Sequence, residues 1–150
     1  MTMTLEIPTG AVERMLGSLL GRDISVAVAP ELELYSPSIA GLVNTDNELV
    51  GALGADFEFV AASGAALALM PPVPVEDVSD DDRSDLIEFY GEVANVLSRL
   101  VNDHGLERVR IDPGIEHPIE HLGLIVGAAE RTLFQAEISG YGVGTVALFT

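Results

Sequence analysis

The sequence predicts an α+β fold, on the basis of its size, its composition and the order of its periodic segments. Its 150 residues fit a single domain spanning residues 1–150, and 48% hydrophobic residues are typical of a chain that buries a core. One unit, a helix followed by short extended pieces that supply three strands, occurs twice, with a short helix between the two copies. The two copies share a pattern and no residue-level repeat.

The first unit begins with a helix predicted over Thr9–Leu20, where apolar residues recur every three or four positions. Thr9 is expected to cap this helix and Gly21 to end it. Alternating and β-branched residues then predict short extended pieces. These are Ile24–Val28, Leu32–Tyr35, Ile39–Val43 and Leu49–Leu53, with the extended character continuing through Phe57 and Phe59.

A short buried helix is predicted over Ser63–Met70, because the segment is small and apolar and Pro71-Pro72 stops it. Residues 71–79 are predicted to form a loop. The strongest helical pattern follows over Asp80–Asn102 and ends at His104-Gly105. The remaining extended runs are Leu106–Ile111, Leu122–Ala128 or part of it, Thr132–Ile138 and Val143–Phe149.

Composition excludes several classes of chemistry. The chain has no cysteine, and all seven basic residues are arginine, which excludes disulfides, thiol nucleophiles, lysine Schiff bases and a P-loop lysine. A net charge of −17 repels phosphate backbones and anionic lipid, so neither nucleic acid nor a membrane is predicted as a partner. The N-terminus lacks the basic and apolar regions of a signal peptide, and we expect a cytoplasmic protein.

The long helix carries a narrow polar stripe. Glu88, Glu92, Asn95 and Arg99 fall on one line at helical spacing. The opposite face is apolar and consists of Leu86, Tyr90, Val93, Leu97, Leu100 and Val101. Gly91 and Ser98 lie beside the stripe, where their small size would let another surface approach. A solvated helix face is the ordinary meaning of such a stripe.

The spacing of the stripe resembles a known signature. Glu88-x3-Glu92-x2-Asn95, followed by x22 and Pro118, is similar to the motif of the CheC/CheX/FliY phosphatases of bacterial chemotaxis. That motif reads Asp or Ser, x3, Glu, x2, Asn, x22, Pro, so Glu88 departs from it. The first helix offers Glu13-x2-Leu16, with leucine where asparagine is required. The resemblance is therefore to a single-site, CheX-like protein.

The resemblance implies a six-stranded, mostly antiparallel sheet in two three-stranded halves, with the long helix and the N-terminal helix packed on it. It also implies a homodimer whose substrate is the aspartyl phosphate of a CheY-like receiver domain of a response regulator. Asn95 would orient the hydrolytic water, and Glu92 would pair with the receiver's lysine. Glu88 would be a neighbour, and Pro118 would shape the loop beside the site. The helical stripe adds Arg99 as a partner-binding residue, and the alternative is a surface arginine that balances nearby acidic residues. The chain would need no cofactor of its own, since Mg²⁺ belongs to the receiver.

Two other functions stay open at this point. A catalytically silent dimeric module could dock a receiver or a flagellar component without hydrolysis, and the Glu88 departure keeps this function open. A structural protein with a merely solvated stripe is the other. An assay of phosphate release from a phosphorylated receiver separates the first of these from the phosphatase.

Metal binding is the weaker interpretation of two further patterns. The spacing from Asp77 to Glu88 imitates a calcium loop, but Asp82 stands where such a loop needs glycine. Ser79 as the N-cap of the long helix, with acidic residues in its first turn, explains the pattern better.

His117 and His121, together with neighbouring glutamates, could also suggest a metal site. A short helical turn that starts at His117-Pro118 is the favoured interpretation, because proline suits the first position of a helix. No metal site is therefore predicted anywhere in the chain.

The last strand suggests where a dimer would form. Val143–Phe149 is apolar, without charge or proline, and such an edge must be covered or paired. Pairing with a second copy is one explanation. Burial inside the sheet of its own monomer is the other.

Overall fold

A computed structural model describes residues 7–28, 38–46, 48–72, 74–104, 108–111 and 131–149. The helices are α1 (Thr9–Leu20), α2 (Phe57–Ala68) and α3 (Asp80–His104), with a single 3₁₀ turn at Val75–Asp77. The strands are β1 (Ile24–Val28), β2 (Ser38–Val43), β3 (Leu49–Ala55), β4 (Arg110–Ile111), β5 (Arg131–Ile138) and β6 (Gly142–Phe149). Within these ranges, none of the helices has the length and apolar character that crossing a membrane needs.

The six described strands form one antiparallel sheet in the order β1-β5-β6-β3-β2-β4. Strands β1–β3 belong to the first helix-plus-three-strand unit and β4–β6 to the second. Exchanging the two units gives the same order read from the opposite edge, so the sheet has the symmetry of a two-fold repeat. The first strand of each unit lies beside the other unit's strands, at an outer edge of the described sheet. The predicted α+β class, with an antiparallel sheet in two three-stranded halves, is confirmed.

Helix α1 has the predicted bounds, but its N-cap differs from the prediction. Pro8, and not Thr9, occupies the cap position, and no side chain caps the helix. The Pro8 carbonyl accepts the first backbone hydrogen bond, from Ala11 N at 3.0 Å. Gly21 ends the helix as predicted, since it adopts a left-handed conformation (φ 65°) that glycine takes at little cost.

Helix α2 begins earlier than predicted, and the extended interpretation of Phe57 and Phe59 is wrong. Asp56 caps the helix: its Oδ1 accepts from Phe59 N at 2.8 Å and from Thr145 N at 3.1 Å. This carboxylate therefore fixes the helix start against strand β6. Nine of the helix's twelve residues are buried, and a helix that is apolar all round lies inside the protein.

Two glycines allow α2 to lie this deep. A Cβ at Gly64 would come within 2.6 Å of Leu86 O on α3, and one at Gly144 within 2.4 Å of Phe59 Cα. The backbone of α2 thus contacts α3 on one side and β6 on another. The predicted helix over Ser63–Met70 is the second half of α2, which ends at Ala68, ahead of the prolines.

Helix α3 runs two residues past its predicted end. Ser79 Oγ accepts from Asp82 N at 3.2 Å, which confirms Ser79 as the N-cap. At the other end, the Asn102 side chain accepts from Val109 N at 2.6 Å and donates to Val109 O at 3.0 Å. The last turns of α3 are thereby tied to the segment that leads into β4.

Strand β6 lies inside the sheet, between β5 and β3, so the prediction that Val143–Phe149 forms an edge between two copies is wrong. Its apolar composition reflects burial, as Thr145, Val146 and Ala147 show. Several predictions lie outside the described residues. These are the extended pieces Leu32–Tyr35 and Leu122–Ala128, the first part of Leu106–Ile111, and the assignments of His117, Pro118 and His121.

Candidate functional site

Helix α3 has the two faces that its sequence predicts. The six residues of its predicted apolar face are all at most 6% exposed and belong to the main core. Glu88, Glu92, Asn95 and Arg99 are all exposed on the other side. Because residues three or four positions apart are neighbours on a helix, these side chains form one continuous line, the α3 stripe.

The α3 stripe is not engaged by the rest of the described chain. Over the residues that the structure describes, no hydrogen bond or ion pair holds the side chain of Glu92, Asn95 or Arg99. The carboxylate and the amide thus keep their donors and acceptors available for another molecule. Ser98, by contrast, is buried, and its hydroxyl donates to the main-chain O of Asn95 at 2.6 Å. It supports the turn that carries Asn95 rather than leaving space beside the stripe.

The core side of α3 holds the helix rigidly beneath the stripe. Tyr90 is 6% exposed and packs edge-on against Phe59 of α2, with ring centroids 6.2 Å apart. Burial raises the pKa of the Tyr90 hydroxyl well above its ordinary value, and the negative charge of Asp56 adds to this. The tyrosine therefore stays neutral and acts as a packing residue.

Gly91 lies one turn before Asn95, and a Cβ added there would meet nothing within 4 Å. The packing of this chain does not require glycine at this position, yet glycine inside a helix costs ~1 kcal/mol relative to alanine. The space that it leaves is open to a second surface, as the sequence predicted for this residue.

Two apolar side chains beside the stripe were not singled out from the sequence. Ile87 is 45% exposed and Phe89 is 38% exposed, on either side of Glu88. Their positions around the helix, between the core face and the stripe, are the feature of the sequence that could have identified them. At 100° per residue, they lie about 100° to either side of Glu88 around the helix.

The related positions on α1 form no second site. Leu16 is 0% exposed in the core, whereas Asn95 is exposed on α3. Glu13 is occupied within the chain, since its Oε1 accepts from Val26 N of β1 at 2.8 Å. Of the two helices, α3 therefore exposes the residue at the asparagine position of the motif, and α1 buries it.

In the part of the chain that the structure describes, no three His, Asp or Glu side chains come together in a way that could hold a metal ion. Pro118, which the resemblance places beside the site, lies outside that part. The site as described is an amide and a carboxylate on a rigid, exposed helix. Such groups can orient a water and pair with a cation that another protein brings.

No family model matches the chain, and no curated protein matches it in sequence. Solved structures match its fold over nearly the whole length. The FliM middle domain from Vibrio alginolyticus superposes with a TM-score of 0.60 at 9% identity, covering 95% of this chain and 87% of that one.

CheX in the CheX–CheY–BeF₃–Mg²⁺ complex from Borrelia burgdorferi matches with a TM-score of 0.55 at 15% identity, covering 96% of this chain and 98% of that one. FliY from Thermotoga maritima matches with a TM-score of 0.52 at 16% identity, covering 96% and 84%. The chain therefore has the CheC/CheX/FliY-like fold, which FliM shares.

Proposed function

We propose that this protein is a CheX-like phosphatase that hydrolyses the aspartyl phosphate of a CheY-like receiver domain. The observation that carries the proposal is the α3 stripe: Glu92 and Asn95 are exposed side by side on a helix whose other face is buried. The similarity in fold to CheX, matched in a complex with CheY, BeF₃ and Mg²⁺, supports a receiver as the partner.

The proposed reaction needs few catalytic groups from this chain. An aspartyl phosphate is an acyl phosphate, and its hydrolysis depends on an in-line water and on charge neutralisation. Asn95 would accept from or donate to the attacking water and hold it in line, which replaces a random encounter with an oriented one. The water oxygen bonds to phosphorus, the bond to the aspartyl oxygen breaks, and inorganic phosphate leaves.

The cations of this reaction would come from the receiver. Glu92 would pair with the receiver's lysine and set the position of docking, and the receiver's Mg²⁺ would neutralise the phosphoryl oxygens. Glu88 and Arg99 would contact the receiver beside these groups, and Pro118 would shape the neighbouring loop.

Phosphate release from a phosphorylated CheY-like receiver tests the proposal. Asn95→Ala should remove nearly all activity and leave the melting curve unchanged, because the side chain is exposed. Glu92→Ala should weaken binding of the phosphorylated receiver more than it slows turnover. Asp103→Ala, at an exposed position near the end of α3, is the matched control and should change neither. Full activity in Asn95→Ala would refute the mechanism.

A catalytically silent binding module is the second candidate, and the fold shared with FliM favours it. One matched FliM structure from H. pylori is a complex with FliG, at a TM-score of 0.56 and 11% identity. The departure at Glu88 points the same way. Receiver binding by calorimetry without any phosphate release would establish this function instead.

The proposal includes a cytoplasmic homodimer, with its contact on a surface other than β6. Sedimentation at micromolar concentration should show a species of twice the 15.8 kDa chain mass. A monomer alone would remove the dimer from the proposal and leave the phosphatase intact.

A further inference from the structure

A groove of about 250 Å³ opens between α2, residues 70–72 and 74–78, the first turns of α3 and the β5–β6 turn. Its floor is one face of α2, formed by Ala61, Ala62 and Ala65 at helical spacing. The volume equals about eight waters at ~30 Å³ each. It is enough for one or two large side chains of a partner, and too small for a cofactor of ordinary size.

The groove is preformed. Tyr141 lines it, and its hydroxyl donates to the main-chain O of Met70 at 2.6 Å, which joins two walls. The guanidinium of Arg22 lies 4.7 Å from the centre of the Tyr141 ring and holds it from the other side. A partner would therefore bind a groove that is already formed, and the entropic cost of ordering the groove would be small.

One exposed apolar side chain lines the groove, and a second is next in sequence to a lining residue. Val143 lines it and is 41% exposed. Leu69, next to the wall residue Met70, is 81% exposed and adopts a left-handed backbone conformation (φ 58°). That conformation is unfavourable for a residue other than glycine. An exposure of 81% leaves Leu69 little packing within its own chain to offset that cost.

The charge of the lining selects the occupant. Glu58, Glu76 and Asp82 line the groove, and no arginine or histidine is among the described residues that form it. Three carboxylates repel anionic ligands. They also repel a second copy of this chain, whose net charge is −17.

We propose that this groove docks a segment of a partner protein that carries a large apolar side chain flanked by arginine or lysine. The apolar side chain would lie on the alanine floor against Val143, and the cations would pair with the three carboxylates. The inference is independent of phosphatase activity. It adds a second contact surface near the start of α3, ahead of the stripe.

Fluorescence anisotropy with short labelled peptides tests the proposal on the full chain. The probe carries leucines flanked by arginines. One comparison peptide replaces the leucines with glycine, and another replaces the arginines with glutamate. The leucine–arginine peptide should bind roughly tenfold more tightly than either comparison peptide at physiological salt. Equal binding of the glycine–arginine peptide would show charge attraction alone and overturn the proposal.

Matched variants locate the binding. Val143→Ser should weaken the peptide roughly tenfold, because the contact buries an exposed valine. Val28→Ser, at a strand valine 57% exposed on β1, should have no effect. Glu76→Gln should weaken binding severalfold, and Asp103→Asn should not. Equal effects of the two valine variants would overturn the proposal. So would a wild-type dimer that Val143→Ser dissociates, because the occupant would then be a second copy.

Discussion

Helices α1 and α3 open the two related halves of the sheet, but only α3 presents a polar site. Each helix uses one side chain to bind backbone near its following strand: Glu13 binds Val26 N from α1, and Asn102 binds Val109 from the last turns of α3. In α1 the glutamate of the motif makes this contact. In α3 the contact lies near the C-terminus, and Glu92 has no partner among the described residues.

The asparagine position differs in the same way between the two helices. Leu16 of α1 is fully buried, and Asn95 of α3 is exposed. The residue three positions after the glutamate therefore faces the core in α1 and solvent in α3. The comparison teaches that the spacing of a motif makes a site only where the helix turns that line of residues away from the core.

The largest expected effect tests the buried helix. Leu16→Asn should destabilise the protein by about 3–5 kcal/mol, since it removes a core side chain and buries an amide without partners. Urea denaturation followed by circular dichroism measures the change. A loss below ~1 kcal/mol would mean that α1 tolerates a polar residue at this position as α3 does at Asn95, and the comparison would fail.

An intermediate effect is expected from the two glutamates. Glu13→Ala should cost about 1.5–3 kcal/mol, the range for a hydrogen bond to a charged group, because Val26 N on the edge strand loses its acceptor. Glu92→Ala should change stability by no more than ~0.5 kcal/mol, as exposed substitutions do. Thermal melts of both variants give the comparison, and equal losses would contradict the distinction between an engaged and a free carboxylate.

The smallest effect concerns Gly91. Gly91→Ala should stabilise the protein by about 0.5–1 kcal/mol, because alanine is the better helix former and its Cβ meets no atom within 4 Å. The same variant should bind the phosphorylated receiver less tightly if a second surface approaches here. Calorimetric titration beside a thermal melt separates the two results, and tighter or unchanged binding would show that the space at Gly91 has no part in docking.

Much of the fold and of the candidate site could be predicted from sequence because it depends on local periodicity. Apolar residues that recur every three or four positions predicted α1 and the long helix α3. The same helical period predicted that the α3 stripe lies opposite the core. Phe57 and Phe59 were assigned wrongly because alternating aromatics fit a strand as well as a helix start. The cap that Asp56 provides and the close approach of Gly144 to Phe59 show that these residues begin a helix.

The sequence by itself determined the α+β class, the helical phase of Glu92 and Asn95, and the strong acidity of the surface, since these follow from short-range spacing and composition. Only the tertiary structure decided that β6 is central, that β1 and β4 are exchanged between the halves, and that α2 leaves a groove beside Val143. The physical reason is that strand order and grooves arise from contacts between residues far apart in the chain. The same apolar strand composition fits a pairing edge and a buried centre, and only those contacts distinguish them.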